Sequence, residues 1–87
     1  MRIDKYLKVA RILKRRPIAK ELAENSRLLI NGKVAKAASE VEVGDVVTLL
    51  FGHRIITIRV LDISLQASKQ EALSMYEIIE EKREDTL

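Results

Sequence analysis

The sequence is poor in several residue types on which enzymes and membrane proteins depend. It has no cysteine, one histidine and three aromatic residues. No apolar run approaches the roughly 20 residues that a membrane span needs. The absence of cysteine excludes disulfides, cysteine-based metal sites and thiol catalysis. We therefore expect a cytoplasmic protein without membrane contact, whose core is built from aliphatic side chains.

Positive charge is concentrated in the first part of the chain. Residues 1–36 carry eleven lysines and arginines against three acids, a net charge of +8, whereas residues 37–87 carry a net charge of −5. The densest stretch, from Lys14 to Lys36, holds seven of these cations and two acids. Such a cluster at one end of a small domain indicates a surface that binds a polyanion.

Two short helices are predicted at the N-terminal end. Apolar residues at helical spacing, with Asp4 in the first turn, predict a helix over residues 4–12. Pro17 suits the first position of a second helix, because its fixed φ is helical and no N–H partner is needed there. Asn25-Ser26 is predicted to end that helix, since asparagine tolerates the left-handed conformation.

The middle of the chain is predicted to be β structure. The four predicted strands cover residues 28–30, 33–36, 46–51 and 55–63. Asn31-Gly32 is the strongest signal for a two-residue hairpin turn in this sequence. The last two strands are rich in β-branched residues, which indicates that at least one face of them is buried.

The C-terminal region shows a helical pattern again. Ala72, Leu73, Tyr76 and Ile79 form an apolar stripe, so a helix is predicted over residues 69–84 with glutamates on its exposed face. The fold class is therefore α+β. We divide the chain into residues 1–66, a domain with its strand extension, and residues 67–87, an acidic amphipathic helix and tail.

Residues suited to catalysis are scarce. His53 stands in a predicted turn without an acidic neighbour in sequence, and no histidine-rich or cysteine-rich metal cluster is present. The three glycines are isolated turn residues and do not form a loop that cradles phosphates. We expect no enzymatic activity, no metal and no cofactor.

The basic residues near the second helix are suited to binding phosphates. Arg15 and Arg16 stand at its start, where backbone N–H groups and the helix dipole add to their positive field. Lys20 follows one turn later. Because three aromatic residues are too few for a platform that stacks single-stranded bases, we expect structured RNA recognised by its shape and phosphates.

Several motifs, in order and spacing, resemble the S4 RNA-binding domain, a module named after a small-subunit ribosomal protein. They are Arg2-Ile3-Asp4-Lys5-Tyr6-Leu7, then Arg16, Ala19 and Lys20, then Ile30-Asn31-Gly32-Lys33-Val34 and Val43-Gly44-Asp45. The resemblance spans about residues 1–50. It implies two helices packed on a small bent antiparallel sheet and places RNA binding in the first 66 residues.

The whole chain is similar to small bacterial factors of ribosome-associated quality control, relatives of the heat-shock S4 protein. This resemblance implies binding to stalled large (50S) ribosomal subunits through 23S rRNA and tRNA. It also implies support of nascent-chain tailing by the NEMF-type factor RqcH. We expect a monomer.

The predicted RNA-binding residues combine the basic face with the positions that match the family. They are Arg2, Lys5, Lys8, Arg11, Lys14, Arg15, Arg16, Lys20, Arg27, Asn31, Lys33 and Lys36. Two positions depart from the family's pattern. Arg15 replaces a small hydroxyl residue, and Ser26 replaces glycine, so the turn at Ser26 is expected to be strained or shifted onto Asn25.

Three other functions remain open from the sequence. The chain could be a generic RNA-binding module, or an accessory domain of the kind found in pseudouridine synthases, which requires a catalytic partner. It could also be a DNA-binding helix-turn-helix regulator, although the second helix is short and alanine-rich for reading bases.

Overall fold

The computed structural model describes residues 1–83 of the chain, apart from the side chain of Arg16. In chain order these residues form α1 (Ile3–Val9), α2 (Arg16–Glu24), β1 (Leu28–Ile30), β2 (Lys33–Val34), β3 (Val46–Phe51), β4 (Arg54–Val60), α3 (Lys69–Ala72) and β5 (Tyr76–Arg83). The predicted α+β class, with two N-terminal helices and an antiparallel sheet, is confirmed. No helix within residues 1–83 has the length and apolar character needed to cross a membrane.

All strands of the described region belong to one antiparallel sheet in the order β2-β1-β3-β4-β5. The predicted bounds of β1 and β3 are confirmed, whereas β2 and β4 end earlier than predicted. The predicted turn between β1 and β2 is confirmed as well. Asn31 and Gly32 both have positive φ angles, 52° and 82°, as a tight two-residue hairpin requires.

The first helix is shorter than the prediction of residues 4–12. It ends at Val9 because Arg11 adopts a left-handed φ of 59°. The N–H of Arg11 donates to the carbonyl of Lys8, and the N–H of Ile12 donates to the carbonyl of Leu7, both over 3.0 Å. This is a Schellman motif, which satisfies carbonyls that the end of a helix would otherwise leave unpaired.

The second helix ends in the same motif, within the predicted pair Asn25-Ser26. Asn25 has a φ of −99°, and Ser26 takes the left-handed position with a φ of 57°. Arg27 then donates its N–H to the carbonyl of Leu22 over 2.8 Å. The predicted strain therefore falls on Ser26 and is not shifted onto Asn25.

The predicted C-terminal helix over residues 69–84 is wrong beyond its first turn. A capping box begins α3: the Ser68 hydroxyl accepts from the N–H of Glu71, and the Glu71 carboxylate accepts from the N–H of Ser68. These hydrogen bonds with Ser68 lower the pKa of Glu71. The helix stops after Ala72, and β5 pairs along β4. The β-branched pair Ile78-Ile79 favours a strand there, and β4 offers unpaired backbone groups that a helix could not satisfy.

The division at residues 66 and 67 stays a prediction about where the RNA-binding module ends. The second segment contributes the outermost strand of the same sheet, and its exposed glutamates, Glu77, Glu80 and Glu81, lie on that strand. Glu84, the last residue of the predicted C-terminal helix, and the tail after it lie outside the described residues.

One aliphatic core joins the helices to the sheet. Its buried members come from α1, α2, β1, β3 and β4, as in Leu7, Leu28 and Ile58, and from three of the connecting segments. Tyr6 is fully buried, and its hydroxyl donates to the carbonyl of Met75 over 2.6 Å. Burial raises the pKa of Tyr6 above its usual range, with smaller contributions from nearby Tyr76 and Asp62. This contact ties the N-terminal helix to the segment before β5.

Candidate nucleic-acid interface

Helix α1 buries one face and exposes cations on the other. Ile3, Tyr6 and Leu7 are buried, while Lys8 is exposed and Lys5 is half-buried. Lys5 and Lys8 are three residues apart, so they are neighbours on the helix surface. Because the apolar face of α1 packs into the core, the face that carries Lys5 and Lys8 points away from the core.

Four cations of this region line a single cleft, here called the α1 cleft. They are Lys5, Lys8, Arg11 and Lys14. Leu65, Gln66 and Ala67 form its uncharged wall, and Val9 and Leu13 also line it. The cleft has a volume of about 590 Å³ and contains no acidic residue in its lining. An anion is therefore the favoured kind of ligand there.

The start of α2 adds further positive charge. Arg15 is the N-cap residue in an extended conformation, and its exposed side chain makes no capping hydrogen bond. Lys20 is exposed on the same helix. Arg16 is the first residue of α2, although its side chain lies outside the described atoms. The N–H groups at this helix start add to the positive field of the cations.

Arg2 is held in place by a buried acid. Its Nε donates to Oδ1 of Asp4 over 3.2 Å, and its Nη2 donates to Oδ2 over 3.0 Å. The carboxylate of Asp4 is almost completely buried, whereas half of the Arg2 side chain is exposed. Arg2 therefore presents an oriented guanidinium to solvent beside the first turn of α1.

Lys36 precedes the loop that packs against the start of α1. The N–H of Asp4 donates to the carbonyl of Ala37, and the N–H of Ile3 donates to the carbonyl of Ser39. These bonds place the loop beside Arg2 and Asp4. The exposed Lys36 thus joins the N-terminal part of the basic surface.

Asn31 serves the hairpin itself. Its side-chain amide donates to Oδ1 of Asp45 over 3.1 Å, and its side-chain oxygen accepts from the N–H of Val46 over 2.9 Å. These contacts lock the β1–β2 turn onto the start of β3. The adjacent Lys33 is exposed. The structure therefore gives Asn31 a positioning role in presenting Lys33.

Arg27 lies apart from that turn. The carbonyl of Arg27 accepts from the N–H of Leu50, near the end of β3, whereas Asn31 pairs with Val46 at its beginning. Four residues of extended chain at about 3.3 Å each place Arg27 roughly 13 Å from Asn31. The exposed Arg27 and Lys33 thus mark opposite ends of β1.

The predicted cations are mostly uncompensated. Among the predicted site residues whose side chains the structure describes, only Arg2 forms an ion pair with an acid. Like charges that lie close together without counterions repel, and they favour a polyanionic partner. The surface as a whole is therefore suited to nucleic-acid phosphates.

Sequence reasoning missed the wall formed by Leu65, Gln66 and Ala67. These residues are uncharged and follow β4 in a stretch without regular structure, so no local pattern connects them with α1. Only the tertiary fold brings them beside Lys8 and Arg11. Because these residues are far from α1 in sequence, no short sequence motif can include both.

The described residues offer little for acid–base or metal chemistry. His53 is exposed in the turn between β3 and β4 and does not line the α1 cleft. Within residues 1–83, no group of three or more metal-ligating side chains is brought together. The chemistry available at the basic surface is electrostatic binding.

Comparison with known proteins yields matches along the whole chain. Residues 1–47 match the S4 domain family. The "RQC P-site tRNA stabilizing factor" of Streptococcus pneumoniae is 46% identical over 83 residues, covering 95% of this chain and 94% of that protein. The protein of the same name from Bacillus subtilis is also 46% identical over 83 residues, covering 95% and 96% of the two chains.

A solved structure supports the same relationship. The trimeric structure of heat shock protein 15 from Vibrio cholerae superimposes with a TM-score of 0.81 at 37% sequence identity. The match covers 90% of this chain and 80% of the other. The fold of this chain therefore occurs in a solved relative as well.

Proposed function

Because this chain belongs to the S4 domain family, we propose that it is an RNA-binding factor of ribosome-associated quality control that stabilises tRNA in the P site of stalled large ribosomal subunits. The observation that supports this proposal most is the basic surface of α1 and α2, which lies within the residues that match the family. Among its described cations, only Arg2 forms an ion pair with an acid. The names of relatives with 46% identity over most of both chains support the specific role.

The basic surface is proposed to contact two RNAs, 23S rRNA and the P-site tRNA. Arg2 and Lys36 lie beside the start of α1, while Lys14 and Arg15 lie between the two helices. A surface that extends over both helices can neutralise phosphates from two neighbouring RNA segments at once. Such double contact would hold the tRNA on the subunit by slowing its dissociation.

We further propose that the factor supports nascent-chain tailing by the NEMF-type factor RqcH in the cytoplasm, and that it acts as a monomer without catalysis. Holding the tRNA requires binding energy alone, which the cations can supply. The single histidine, His53, is exposed in the turn between β3 and β4, away from this surface. Light scattering on the purified chain tests the monomer, with the trimer of the Vibrio cholerae relative as the contrary outcome.

The dissociation rate of P-site tRNA tests the proposed function. Labelled peptidyl-tRNA is bound to purified large subunits, and its release is followed with and without the protein. We expect slower release with wild-type protein and no slowing with Lys14→Gln/Arg15→Gln. Arg59→Gln/Lys69→Gln, which removes the same two charge types from exposed positions elsewhere, should retain the effect. An unchanged release rate with wild-type protein contradicts the proposal.

A further inference from the structure

The lining of the α1 cleft includes uncharged residues, which phosphate binding does not require, beside its four cations. We propose that it receives one unstacked nucleotide of the bound RNA, with the phosphate on the cationic wall and the base against Leu65, Gln66 and Ala67. This subsite rests on the proposed RNA binding. It adds a preference for RNA in which one nucleotide leaves the helix.

The two walls of the cleft differ in chemistry. One wall consists of cations, and none of Lys8, Arg11 and Lys14 forms an ion pair with a described acid. The other wall is uncharged, and its Leu65 side chain is 70% exposed. A volume of about 590 Å³ lies within the roughly 300–1,000 Å³ of ligand pockets. The cleft thus offers both an anion-binding subsite and an apolar subsite.

Arg11 is an unusual residue type for the conformation that it adopts. It holds the left-handed position of the Schellman motif at the end of α1, where glycine is the usual residue. A side chain other than glycine costs about 1 kcal/mol in this conformation. Local strain of this kind concentrates at binding sites. The strained position places an arginine in the lining of the cleft.

Each group in the cleft has a use in holding a nucleotide. Lysine and arginine bind phosphate oxygens, and the planar guanidinium of Arg11 can also stack on a base. Leu65 and Ala67 provide apolar contact for the base. The Gln66 side chain has both donors and an acceptor for a base edge. Unpaired nucleotides expose these base edges, whereas paired nucleotides in an RNA helix hide them.

Two RNA hairpins that differ in a single bulged nucleotide test the subsite. Both are titrated with wild-type protein at one salt concentration, and the ratio of their dissociation constants is measured. We expect the bulged hairpin to bind about tenfold more tightly, a difference of about 1.4 kcal/mol in binding free energy. The variant Leu65→Ala/Gln66→Ala should reduce this ratio to near one.

The matched control removes the same side chains outside the cleft. Leu73 is 69% exposed, nearly the value of Leu65, and Gln70 is exposed on α3. The variant Gln70→Ala/Leu73→Ala should keep the wild-type ratio, and circular dichroism should show both variants folded.

The outcomes separate the subsite from the proposed function. If wild-type protein binds both hairpins equally, or if the cleft variant keeps the preference, the subsite is overturned while RNA binding stands. A preference lost equally in the control variant overturns it as well. Failure of wild-type protein to bind either hairpin instead overturns the proposed RNA binding on which the subsite rests.

Discussion

Arg2 and Asp4 form a two-point contact in which both carboxylate oxygens of Asp4 accept from the guanidinium of Arg2. Asp4 Oδ1 also accepts from the backbone N–H of Lys5 over 2.7 Å. The buried acid is therefore satisfied by the first turn of α1 and by the exposed arginine together. This arrangement fixes the position of a cation relative to the helix that carries Lys5 and Lys8.

The substitution Arg2→Lys tests whether that orientation contributes to binding. Lysine keeps the charge but lacks the planar fork that makes two parallel hydrogen bonds to a carboxylate. We expect affinity for structured RNA to fall about fivefold, equivalent to the roughly 1 kcal/mol of one hydrogen bond. Filter binding at fixed salt measures it, with the exposed Arg59→Lys as control. Equal losses in both variants would show that the orientation of Arg2 has no special effect.

Arg11 and Ser26 both have a left-handed backbone conformation, one at the end of α1 and the other at the end of α2, so the same substitution can be compared at the two positions. Arg11→Gly and Ser26→Gly should each stabilise the fold by about 1 kcal/mol, because glycine adopts a positive φ without strain. Only Arg11→Gly should weaken RNA binding. Denaturant unfolding and RNA titration of both variants check this prediction. Undiminished RNA affinity in Arg11→Gly would indicate that the arginine is not part of the interface.

The buried hydroxyl of Tyr6 should contribute measurably to stability. Tyr6→Phe removes the buried hydroxyl that donates to the Met75 carbonyl, although this carbonyl still accepts from the N–H of Leu61 over 2.9 Å. We expect a loss of about 1 kcal/mol in the free energy of unfolding, the net contribution of one hydrogen bond, and a fall in Tm of about 4–8 °C per kcal/mol for a domain of this size. Tyr76→Phe, whose hydroxyl has no such partner among the described residues, serves as control. Equal melting temperatures for the two variants would contradict this.

The strand register predicts different outcomes at two adjacent valines. Val47 is fully buried in the core, whereas Val46 is half-buried because successive side chains of β3 point to opposite faces. Val47→Asp should unfold the domain by burying an unpaired charge. Val46→Asp should remain folded with reduced stability. Thermal unfolding, monitored by circular dichroism, distinguishes the two variants. If Val46→Asp unfolded and Val47→Asp remained folded, the register described here for β3 would be wrong.

The elements that the sequence predicts well are those fixed by local chemistry. Asn31-Gly32 determines the β1–β2 turn, and the β-branched run of β3 has the predicted bounds. The resemblance to the S4 domain also rested on local motifs. Two of these motifs, the one around Asn31-Gly32 and the one ending at Asp45, are in contact, because the side-chain amide of Asn31 donates to Oδ1 of Asp45. This hydrogen bond explains why the two motifs occur together.

The elements that could not be predicted depend on tertiary contacts. Residues 76–83 have a pattern compatible with a helix, and their pairing with the open edge of β4 makes them a strand. The α1 cleft likewise depends on a wall from the segment after β4. Arg11 shows a third case, because no local rule predicts an arginine at a left-handed helix end.

Co-sedimentation with tRNA-bearing large ribosomal subunits tests the central claim most directly. Wild-type protein, Lys14→Gln/Arg15→Gln and the charge-matched Arg59→Gln/Lys69→Gln are each sedimented with these subunits at several salt concentrations. We expect wild-type protein and the matched control to sediment with the subunits, and the first variant to remain unbound at salt concentrations where they still bind. If all three proteins sediment alike, the basic surface of α1 and α2 is not the ribosome-binding surface.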